Sequence, residues 1–391
     1  MNNFTFSSPT NVIFGKGTEQ DVGKYVKALG NKVLLHYGGG SIKRNGLYDV
    51  VVKSLQDAGV EIVELGGVVP NPRYSKIKEG ALLCRKENVD VVLAVGGGSV
   101  IDSAKGIAAA TLIEEEEDFW DDYIMKKRRP VKALPIGVVL TLPAAGSETN
   151  RGIVITNDQT QFKRSLGSDH MIPKFAIINP EYHYSLPNYQ TACGSADIIA
   201  HLLERYFTHT TNVDFSDRLL EASLRTMIHV APLALKNPED YNLRAEIAWC
   251  GTIAHNGILG KGRVEDWGTH SLQHELGAIY DITHGEGLAI MFPAWMKYVW
   301  KENPKRFVQF ATRVWNVDYA VEKEEEIILE GIRRMEVFFK DLGLATRLSE
   351  LNIDDSKFEE MAKKMLLGKE TEGNFKKMTV EDAVNIYKLA L

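Results

Sequence analysis

Residues 91–106 read VVLAVGGGSVIDSAKG, in which an apolar strand is followed by three glycines, a serine and a helix rich in small residues. Glycines let the backbone approach an anion closely, and the first turn of a helix offers N–H groups at the positive end of its dipole. These are the physical requirements of a diphosphate site at the carboxyl end of a parallel strand. The stretch is neither GxGxxG nor a P-loop, so ATP hydrolysis is not indicated. A tight strand-to-helix turn without a ligand is the alternative that this stretch alone leaves open.

The first half of the chain repeats this alternation of apolar strands and amphipathic helices. Strands are predicted at KVLLHY (32–37), VEIVEL (60–65), VDVVLAV (89–95), ALPIGVVLTLP (133–143) and FAIINP (175–180). Such alternation predicts a parallel sheet that is covered by helices on both faces. The opening FTFSSPTNVIFG (4–15) alternates weakly and contains a proline, which predicts an edge hairpin.

Beyond about residue 188 the strand signal stops and apolar residues recur at helical spacing. The clearest helical segments are 213–237, 241–259 and 322–343. The sequence therefore predicts an α/β, Rossmann-like dinucleotide-binding domain over residues 1–187. An all-α domain over residues 188–391 should follow it.

The composition is that of a globular protein of two domains, with 391 residues, 44% of them hydrophobic and 25% charged. A net charge of −6 gives no electrostatic footprint for nucleic acid. The three cysteines are scattered without CxxC spacing, which favours a reduced, cytoplasmic setting over a disulfide framework. The longest apolar run has about 14 residues and two prolines, whereas a bilayer span needs about 20, so no membrane partner is expected.

A second glycine loop, Gly38-Gly39-Gly40-Ser41, follows the strand KVLLHY. Dinucleotide-binding folds commonly place a carboxylate at this end of the sheet to hold the adenosine ribose diol. Here Ser41, Lys43 and Arg44 follow the glycines instead. A small, basic loop without a carboxylate has room for a 2′-phosphate, so the sequence favours NADP(H) over NAD(H).

Two pairs of metal-binding residue types occur at a spacing of four. Asp197 and His201 lie in SADIIAHLLE (195–204), and His270 and His274 lie in HSLQH (270–274). Residues four apart project from one face of a helix and can bind one ion. His284 comes ten residues later, in a segment where a loop could bring it back. Carboxylate and imidazole without thiolate suit Fe(II) or Zn(II), and spacing does not separate these two metals.

Each of these residues also has an ordinary structural interpretation. A single histidine on an amphipathic helix is commonly a packing residue, and Asp197 could be a first-turn carboxylate. Five such residues in two compact clusters favour a metal site over coincidence. His255, in TIAHNG, is a sixth candidate with weaker spacing. The lack of a glutamate inside HSLQH excludes the HExxH metalloprotease pattern.

The segments GGGSVIDSAKG, DIIAHLLE and HSLQHELGAIYDITHGEGLAIMFPA closely resemble the iron-containing (group III) alcohol dehydrogenases, specifically their butanol dehydrogenase-like branch. The similarity extends from NVIFGKGT to LGLATRLSELNID, nearly the whole chain. It implies reversible hydride transfer between a primary alcohol such as butanol and the nicotinamide of NAD(P)H. It also implies one divalent metal, Fe2+ in preference to Zn2+, in the cleft between the two domains. A homodimer is expected as well, with the 4–14 edge strand as a possible interface.

The same resemblance assigns residues by position. The metal ligands would be Asp197, His201, His270 and His284. His274 would lie near the nicotinamide, and its place one helical turn from His270 suits it to carry a proton between the alcohol oxygen and solvent. The implied cofactor-binding residues are Gly97, Gly98 and Ser99 at the diphosphate, Gly39 and Ser41 at the 2′-phosphate, and Asn71, Asp102, Thr141, Asn150 and Lys163.

The chain departs from the family pattern in two places. Ala145-Gly146-Ser147-Glu148 stands where many members read TGSE, which removes one expected hydroxyl contact to the cofactor, and Asn179-Pro180 replaces an Asp-Pro pair. Two other functions fit the sequence less well. A lyase resembling dehydroquinate synthases would need a basic cluster for an anionic substrate, and the segments around 197 and 270–287 supply little of one. A non-enzymatic nucleotide-binding module would have no use for the Asp/His set.

Overall fold

A computed structural model describes residues 1–318 and 323–391. The chain forms two compact units, here called the sheet unit and the helical unit. The sheet unit comprises Ser7–Leu186 and Pro238–Ala248. The helical unit comprises Met1–Phe6, Pro187–Asn237 and Trp249–Leu391. The unit ranges thus differ from the predicted domains at the first six residues, at Pro187 and at the short stretch 238–248.

The sheet unit is built on a six-stranded, entirely parallel sheet with a separate antiparallel hairpin. The eight strands are β1 Asn11–Phe14, β2 Lys32–Tyr37, β3 Glu61–Leu65, β4 Val91–Gly97, β5 Ile136–Leu142, β6 Gly152–Asn157, β7 Phe162–Gly167 and β8 Phe175–Ile178. The order in the sheet is β1-β8-β5-β4-β2-β3, and every neighbouring pair is parallel. The five strands predicted between residues 32 and 180 are confirmed.

The prediction of an edge hairpin over residues 4–15 is wrong. Only Asn11–Phe14 forms a strand, and it pairs in parallel with β8, with Asn11 opposite Phe175. Phe4 and Phe6 belong to the helical unit instead. Pro9, which has no N–H to donate to a ladder, precedes the strand, so the chain enters the sheet only after it.

Helices cover both faces of the sheet, as predicted. The helices of this unit are α1 Val22–Lys27, α2 Ser41–Arg44, α3 Leu47–Asp57, α4 Tyr74–Glu87 and α5 Gly98–Ala110, with a π-helix at Phe119–Met125. Because side chains alternate along a strand, Val33 and Leu35 of β2 share a core with α1 and α3. Leu34, between them, shares the opposite core with α4 and α5. Strands that are buried on both faces read as the continuous apolar runs seen in the sequence.

The hairpin of β6 and β7 was not predicted. Its two strands pair antiparallel from Gly152 opposite Gly167 to Asn157 opposite Phe162. Ile153, Ile155 and Leu166 pack on the core that also contains α5. The hairpin therefore covers the helix that begins at the predicted diphosphate loop.

The helical unit contains the remaining helices. They are α6 Asn188–Tyr206, α7 Asp214–Lys236, α8 Tyr241–His255, α9 Gly268–Tyr280, α10 His284–Val299, α11 Pro304–Arg313, α12 Glu324–Asp341, α13 Phe358–Leu366 and α14 Val380–Leu389. Of the predicted segment 322–343, Glu322 lies outside the described residues. Helix α8 divides between the units, since its residues up to Ala248 belong to the sheet unit.

Helices α6 and α10 are buried on all sides, with every residue from Thr191 to Tyr206 inaccessible and nearly all of α10 likewise. A helix without a solvent face normally carries apolar residues all round. Asp197 and His201 are therefore polar groups in the core of the unit. Across residues 1–318 and 323–391, no helix has the length and apolar character needed to cross a bilayer.

Candidate metal centre and dinucleotide loops

Three helices bring the predicted metal ligands together. Asp197 and His201 lie on α6, His270 lies on α9, and their ligand atoms are all within 4.8 Å of one another. His284 joins them, with its Nε2 atom 3.7 Å from Asp197 Oδ1. His284 is the first residue of α10 rather than part of a flexible loop. The four residues thus form one compact, mostly buried group.

Each of the three histidines is held through its Nδ1 atom. His201 Nδ1 lies 2.8 Å from the Asp197 backbone carbonyl, His270 Nδ1 lies 2.7 Å from Glu204 Oε1, and His284 Nδ1 contacts Gln273 Oε1. A carbonyl or carboxylate oxygen accepts, so Nδ1 carries the proton and Nε2 carries the lone pair. Burial lowers the pKa of His201 well below its ordinary value, and the neighbouring His270 and Arg205 lower it further. A neutral imidazole whose Nδ1 donates to an oxygen acceptor is the form that binds a divalent metal through Nε2.

His274 and His255 lie beside this group. The His274 ring is 5.8 Å from the His284 ring and nearly parallel to it, but 6.5 Å from the His270 ring. The His255 ring is 4.3 Å from the His201 ring. Within the described residues, the ligand atoms that all lie within 4.8 Å of one another are those of Asp197, His201 and His270, and neither His274 nor His255 is among them. His284 joins that group through its contact with Asp197. The apparent equivalence of His270 and His274, suggested by their spacing, is therefore not present in the structure.

Trp267 forms one wall of the group. Its ring is 5.1 Å from the His270 ring and 5.9 Å from the His201 ring. Its backbone has φ of 69°, a left-handed conformation that is uncommon for a bulky residue. The guanidinium of Arg205 lies 4.9 Å from the centre of the Trp267 ring. Strained backbone at a polar cluster is typical of a functional site.

Glu204 was not predicted as part of the site. Burial raises its pKa to about 8, while the backbone N–H groups of His270 and Trp267 act in the opposite direction. A cation bound by the nearby Nε2 atoms would lower this pKa again. Its place one turn after His201 was visible in the sequence, but the partner that gives it a role, His270, is 66 residues away.

Seven of the ten predicted dinucleotide-binding residues lie at the end of the sheet where the parallel strands terminate. Gly97, Gly98 and Ser99 form the junction of β4 and α5, and Gly39 and Ser41 follow the neighbouring strand β2. Asn71 comes after β3, and Thr141 lies near the end of β5. Strand order reverses between β2 and β4, since the chain continues to β3 on one side and to β5 on the other. Ligands of open α/β sheets bind at such a reversal, outside the carboxyl ends of the strands.

The glycine loops differ in how closely they are packed. A Cβ atom built on Gly97 would lie 3.0 Å from Leu142 Cβ, and one on Gly98 would lie 3.4 Å from Ala145 Cβ. No described atom comes within 4 Å of a Cβ built on Gly39. The first loop is therefore closely packed at Gly97, whereas the second leaves open space at the surface.

Lys163 and Asn71 are brought together although 92 residues separate them. The Lys163 ammonium donates a hydrogen bond of 2.8 Å to Asn71 Oδ1, and both residues are buried. Asn71 has φ of 54°, so its side chain projects from a turn. A buried cation beside the sheet edge suits an anionic ligand.

Asp102 and Asn150 both hold the segment that follows β5. Asp102 accepts hydrogen bonds from Ser147 Oγ (2.6 Å) and from the Val154 N–H (2.8 Å). The Asn150 amide donates to the Ala145 and Gly146 carbonyls and accepts from Lys105 and the Gly152 N–H. Both side chains thus shape the segment 145–154, which lies against the diphosphate loop through Ala145. Burial lowers the pKa of Lys105 to about 8, with Asp102 and Glu148 opposing the shift.

A parallel sheet with glycine loops at its strand reversal, together with a buried carboxylate–imidazole group, defines the class of metal- and dinucleotide-dependent oxidoreductases. The chain belongs to the iron-containing alcohol dehydrogenase family. Residues 9–180 match the profile of iron-containing alcohol dehydrogenases, and residues 191–391 match the C-terminal profile of the Fe-containing alcohol dehydrogenase family.

Individual relatives cover the whole chain. A probable NADH-dependent butanol dehydrogenase 1 of Bacillus subtilis is 45% identical over 391 residues, the full length of both chains. The NADPH-dependent aldehyde reductase YqhD of Escherichia coli is 40% identical over 93% of each chain. The crystal structure of NADH-dependent butanol dehydrogenase A from Thermotoga maritima superposes with a TM-score of 0.95, at 41% identity over 100% of this chain and 99% of that one. The protein is therefore an oxidoreductase of this family, and the lyase and the non-enzymatic nucleotide-binding module are not supported.

Proposed function

We propose that this enzyme transfers hydride reversibly between NAD(P)H and short aldehydes, with a primary alcohol such as butanol as the product of reduction. The observation that carries this proposal is the convergence of Asp197, His201, His270 and His284 in one mostly buried group. The names of the relatives, butanol dehydrogenases and an aldehyde reductase, support the same substrate class.

The four residues fit one divalent metal, which we propose to be Fe2+ rather than Zn2+ because of the family to which the chain belongs. Three neutral imidazoles and one carboxylate, without a thiolate, are a donor set that suits either ion. When bound, the metal supplies Lewis-acid polarisation of the substrate oxygen. The helices α6, α9 and α10 supply fixed ligand directions, and the aromatic wall at Trp267 limits access of water.

His274 is proposed as the proton carrier. It lies one helical turn after His270, its ring stacks beside His284, and it is only partly buried. A partly exposed imidazole can pass a proton between a substrate and solvent. In aldehyde reduction it would deliver the proton that the substrate oxygen takes up as hydride reaches the carbonyl carbon.

The loop after β2 supports a preference for NADP(H) over NAD(H). A carboxylate close to it, Glu64 on β3, accepts hydrogen bonds from the Tyr37 and Tyr48 hydroxyls. The Lys43 ammonium lies 4.4 Å from the Tyr48 ring centre and 4.0 Å from Glu64. Ser41 and the open space at Gly39 would receive a 2′-phosphate, with Lys43 and Arg44 as its cations. The relatives divide on this point, since two are named for NADH and one for NADPH.

A homodimer is also proposed. Strand β1 is the outer strand of the sheet and pairs only with β8 among the described strands. An open strand edge is a template for pairing with a second chain. Sedimentation equilibrium of the purified protein tests this, and a mass equal to one chain at all concentrations would contradict it.

The function is tested by mixing metal-loaded protein with butanal and either NADPH or NADH while the absorbance of the reduced nicotinamide is followed. Consumption of the reduced cofactor, abolished by a chelator and restored by Fe2+, is the expected result. A lyase would show no net consumption, and a nucleotide-binding module would show binding alone. If the metal-loaded protein consumes no reduced cofactor with any aldehyde of a short series, the proposal is contradicted.

A further inference from the structure

Glu204 connects the two helices that carry three of the proposed ligands. It lies on α6, one turn after His201, and its side chain is 1% exposed. Its Oε1 atom accepts from His270 Nδ1 at 2.7 Å and from the His270 N–H at 3.0 Å. Its Oε2 atom accepts from the Trp267 N–H at 2.6 Å. One carboxylate of α6 thus receives three N–H groups from the start of α9.

We propose that Glu204 is a positioning residue for the metal centre, acting through His270. Its carboxylate fixes the ring orientation of His270 and the Nε2–lone-pair tautomer, and its charge makes that nitrogen a stronger donor. Carboxylates that accept from a metal-binding imidazole in this way typically change metal affinity by about 10–100-fold. The inference rests on the metal site proposed above.

The other two Nδ1 contacts provide an internal comparison. His284 donates to the neutral amide oxygen of Gln273, and His201 donates to the backbone carbonyl of Asp197. His270 Nδ1 lies 2.7 Å from the Glu204 carboxylate, whereas the carboxylate near His201 Nδ1, that of Asp197, lies at 3.2 Å and belongs to a proposed ligand. When Glu204 is ionised, as a bound cation would favour, His270 is therefore the imidazole with the closest charged acceptor that is not itself a proposed ligand.

Glu204 also has a purely structural contribution. The N–H groups of Trp267 and His270 lie at the first turn of α9, where a helix lacks internal acceptors and where a carboxylate is stabilising. Removing this contribution would weaken the protein whether or not His270 binds a metal. The two roles are separated by asking whether the effect of Glu204 disappears when His270 is absent.

The test measures Co2+ affinity of the full-length protein by competition with a chromophoric chelator, for the parent, Glu204→Gln, His270→Ala and the double variant. Glu204→Gln should bind Co2+ about 10–100-fold more weakly than the parent. In the His270→Ala background, Glu204→Gln should cause no further loss, because coupled residues are not additive. Glu265→Gln is the matched control, since Glu265 contacts the Trp267 indole N–H and Arg205 instead of an imidazole. Its Co2+ affinity should equal that of the parent.

Two results would overturn the inference while leaving the proposed metal site intact. One is parent-like affinity of Glu204→Gln while His270→Ala loses the metal, and the other is an equal loss in both backgrounds. If His270→Ala binds Co2+ as tightly as the parent, the proposed metal site itself is wrong. A second variant, Gln273→Glu, places a carboxylate on His284 Nδ1 and should tighten Co2+ binding. Unchanged or weaker binding of a folded Gln273→Glu protein would count against the role of the charge.

Discussion

Gly285 packs so tightly against Cys193 that a Cβ atom on Gly285 would lie 1.9 Å from the Cys193 carbonyl oxygen. The backbones of α10 and α6 therefore touch with no side chain between them. Gly285 directly follows His284, and Cys193 precedes Asp197 by one helical turn. This contact sets the separation of two proposed metal ligands that come from different helices.

Gly285→Ala should force the two helices apart. Overpacking of a core typically costs about 1–3 kcal/mol, and here the obstacle is backbone that has no alternative rotamer. We expect a loss of at least about 2 kcal/mol in the free energy of unfolding by urea, together with weaker Co2+ binding. Gly167→Ala, where the nearest atom to the new Cβ is 3.6 Å away, should change neither quantity. Parent-like stability of Gly285→Ala would show that the helices can separate freely.

Lys163→Met should weaken binding of the reduced dinucleotide and leave the metal in place. The ammonium of Lys163 holds Asn71 at 2.8 Å and supplies a buried positive charge at the sheet edge. Hydrogen bonds to charged groups are worth about 1.5–3 kcal/mol, so the dissociation constant should rise at least tenfold. Nicotinamide fluorescence titration measures it. Lys127→Met removes an exposed lysine that donates to the Ser165 carbonyl of the same hairpin, and it should bind like the parent.

Ser41→Asp should move the cofactor preference from NADPH toward NADH. A carboxylate at this position would repel a 2′-phosphate through a Coulomb term of a few kcal/mol at close range, and it could accept from a ribose diol. We expect the ratio of kcat/KM for NADPH over NADH to fall by at least about tenfold, a change of about 1.4 kcal/mol. Ser41→Asn is the neutral control and should keep the parent ratio. An equal fall in both variants would mean that size, and not charge, decides the preference.

His36 should make the protein sensitive to acid. Burial lowers the pKa of this fully buried histidine to about 4, and its Nδ1 donates to the Leu65 carbonyl while Nε2 accepts from Ser103. The unfolded chain takes up this proton near its ordinary pKa of about 6.5, whereas the folded chain takes it up only near pH 4. Stability is therefore lost as pH falls through this window, by about 3 kcal/mol for a shift of this size.

The contribution of His36 is isolated by comparing the parent with His36→Gln in urea unfolding from pH 7 to pH 4. The variant lacks the proton uptake, so its stability should fall less steeply over the window. Other buried histidines, such as His183, titrate in both proteins and cancel in the difference. If the stability of the parent and of His36→Gln depends on pH in the same way, groups other than His36 cause the acid sensitivity.

The sequence predicted the parallel sheet because its central strands are buried on both faces and read as uninterrupted apolar runs, as in Val91–Gly97. It missed the β6–β7 hairpin because Phe162–Gly167 alternates poorly, with Lys163 and Arg164 adjacent. It misjudged residues 4–15 because local alternation does not reveal whether a strand pairs with its sequence neighbour or with one more than 160 residues away, as Asn11 does with Phe175.

For the proposed metal ligands, too, the sequence predicted contacts within one helix better than contacts between helices. Spacing along α6 was enough to pair Asp197 with His201, since the two residues are about one helical turn apart. Spacing could not distinguish the roles of His270 and His274, because both lie on α9. The two histidines differ in how they lie relative to His284 and Asp197, which belong to other helices. Glu204 and Gln273 were missed for a related reason. Their roles depend on imidazoles that reach them only in the folded chain, and an acidic or amide residue on a helix gives no signal of its own.

In the proposed metal site, His270 binds the metal and His274 does not. This assignment is tested most directly by measuring metal content and butanal reduction together for the parent, His270→Ala and His274→Ala after loading with Fe2+. We predict that His270→Ala loses both the metal and turnover, whereas His274→Ala retains most of the metal and loses turnover. Parent-like metal content in His270→Ala, or loss of the metal in His274→Ala, would contradict this assignment.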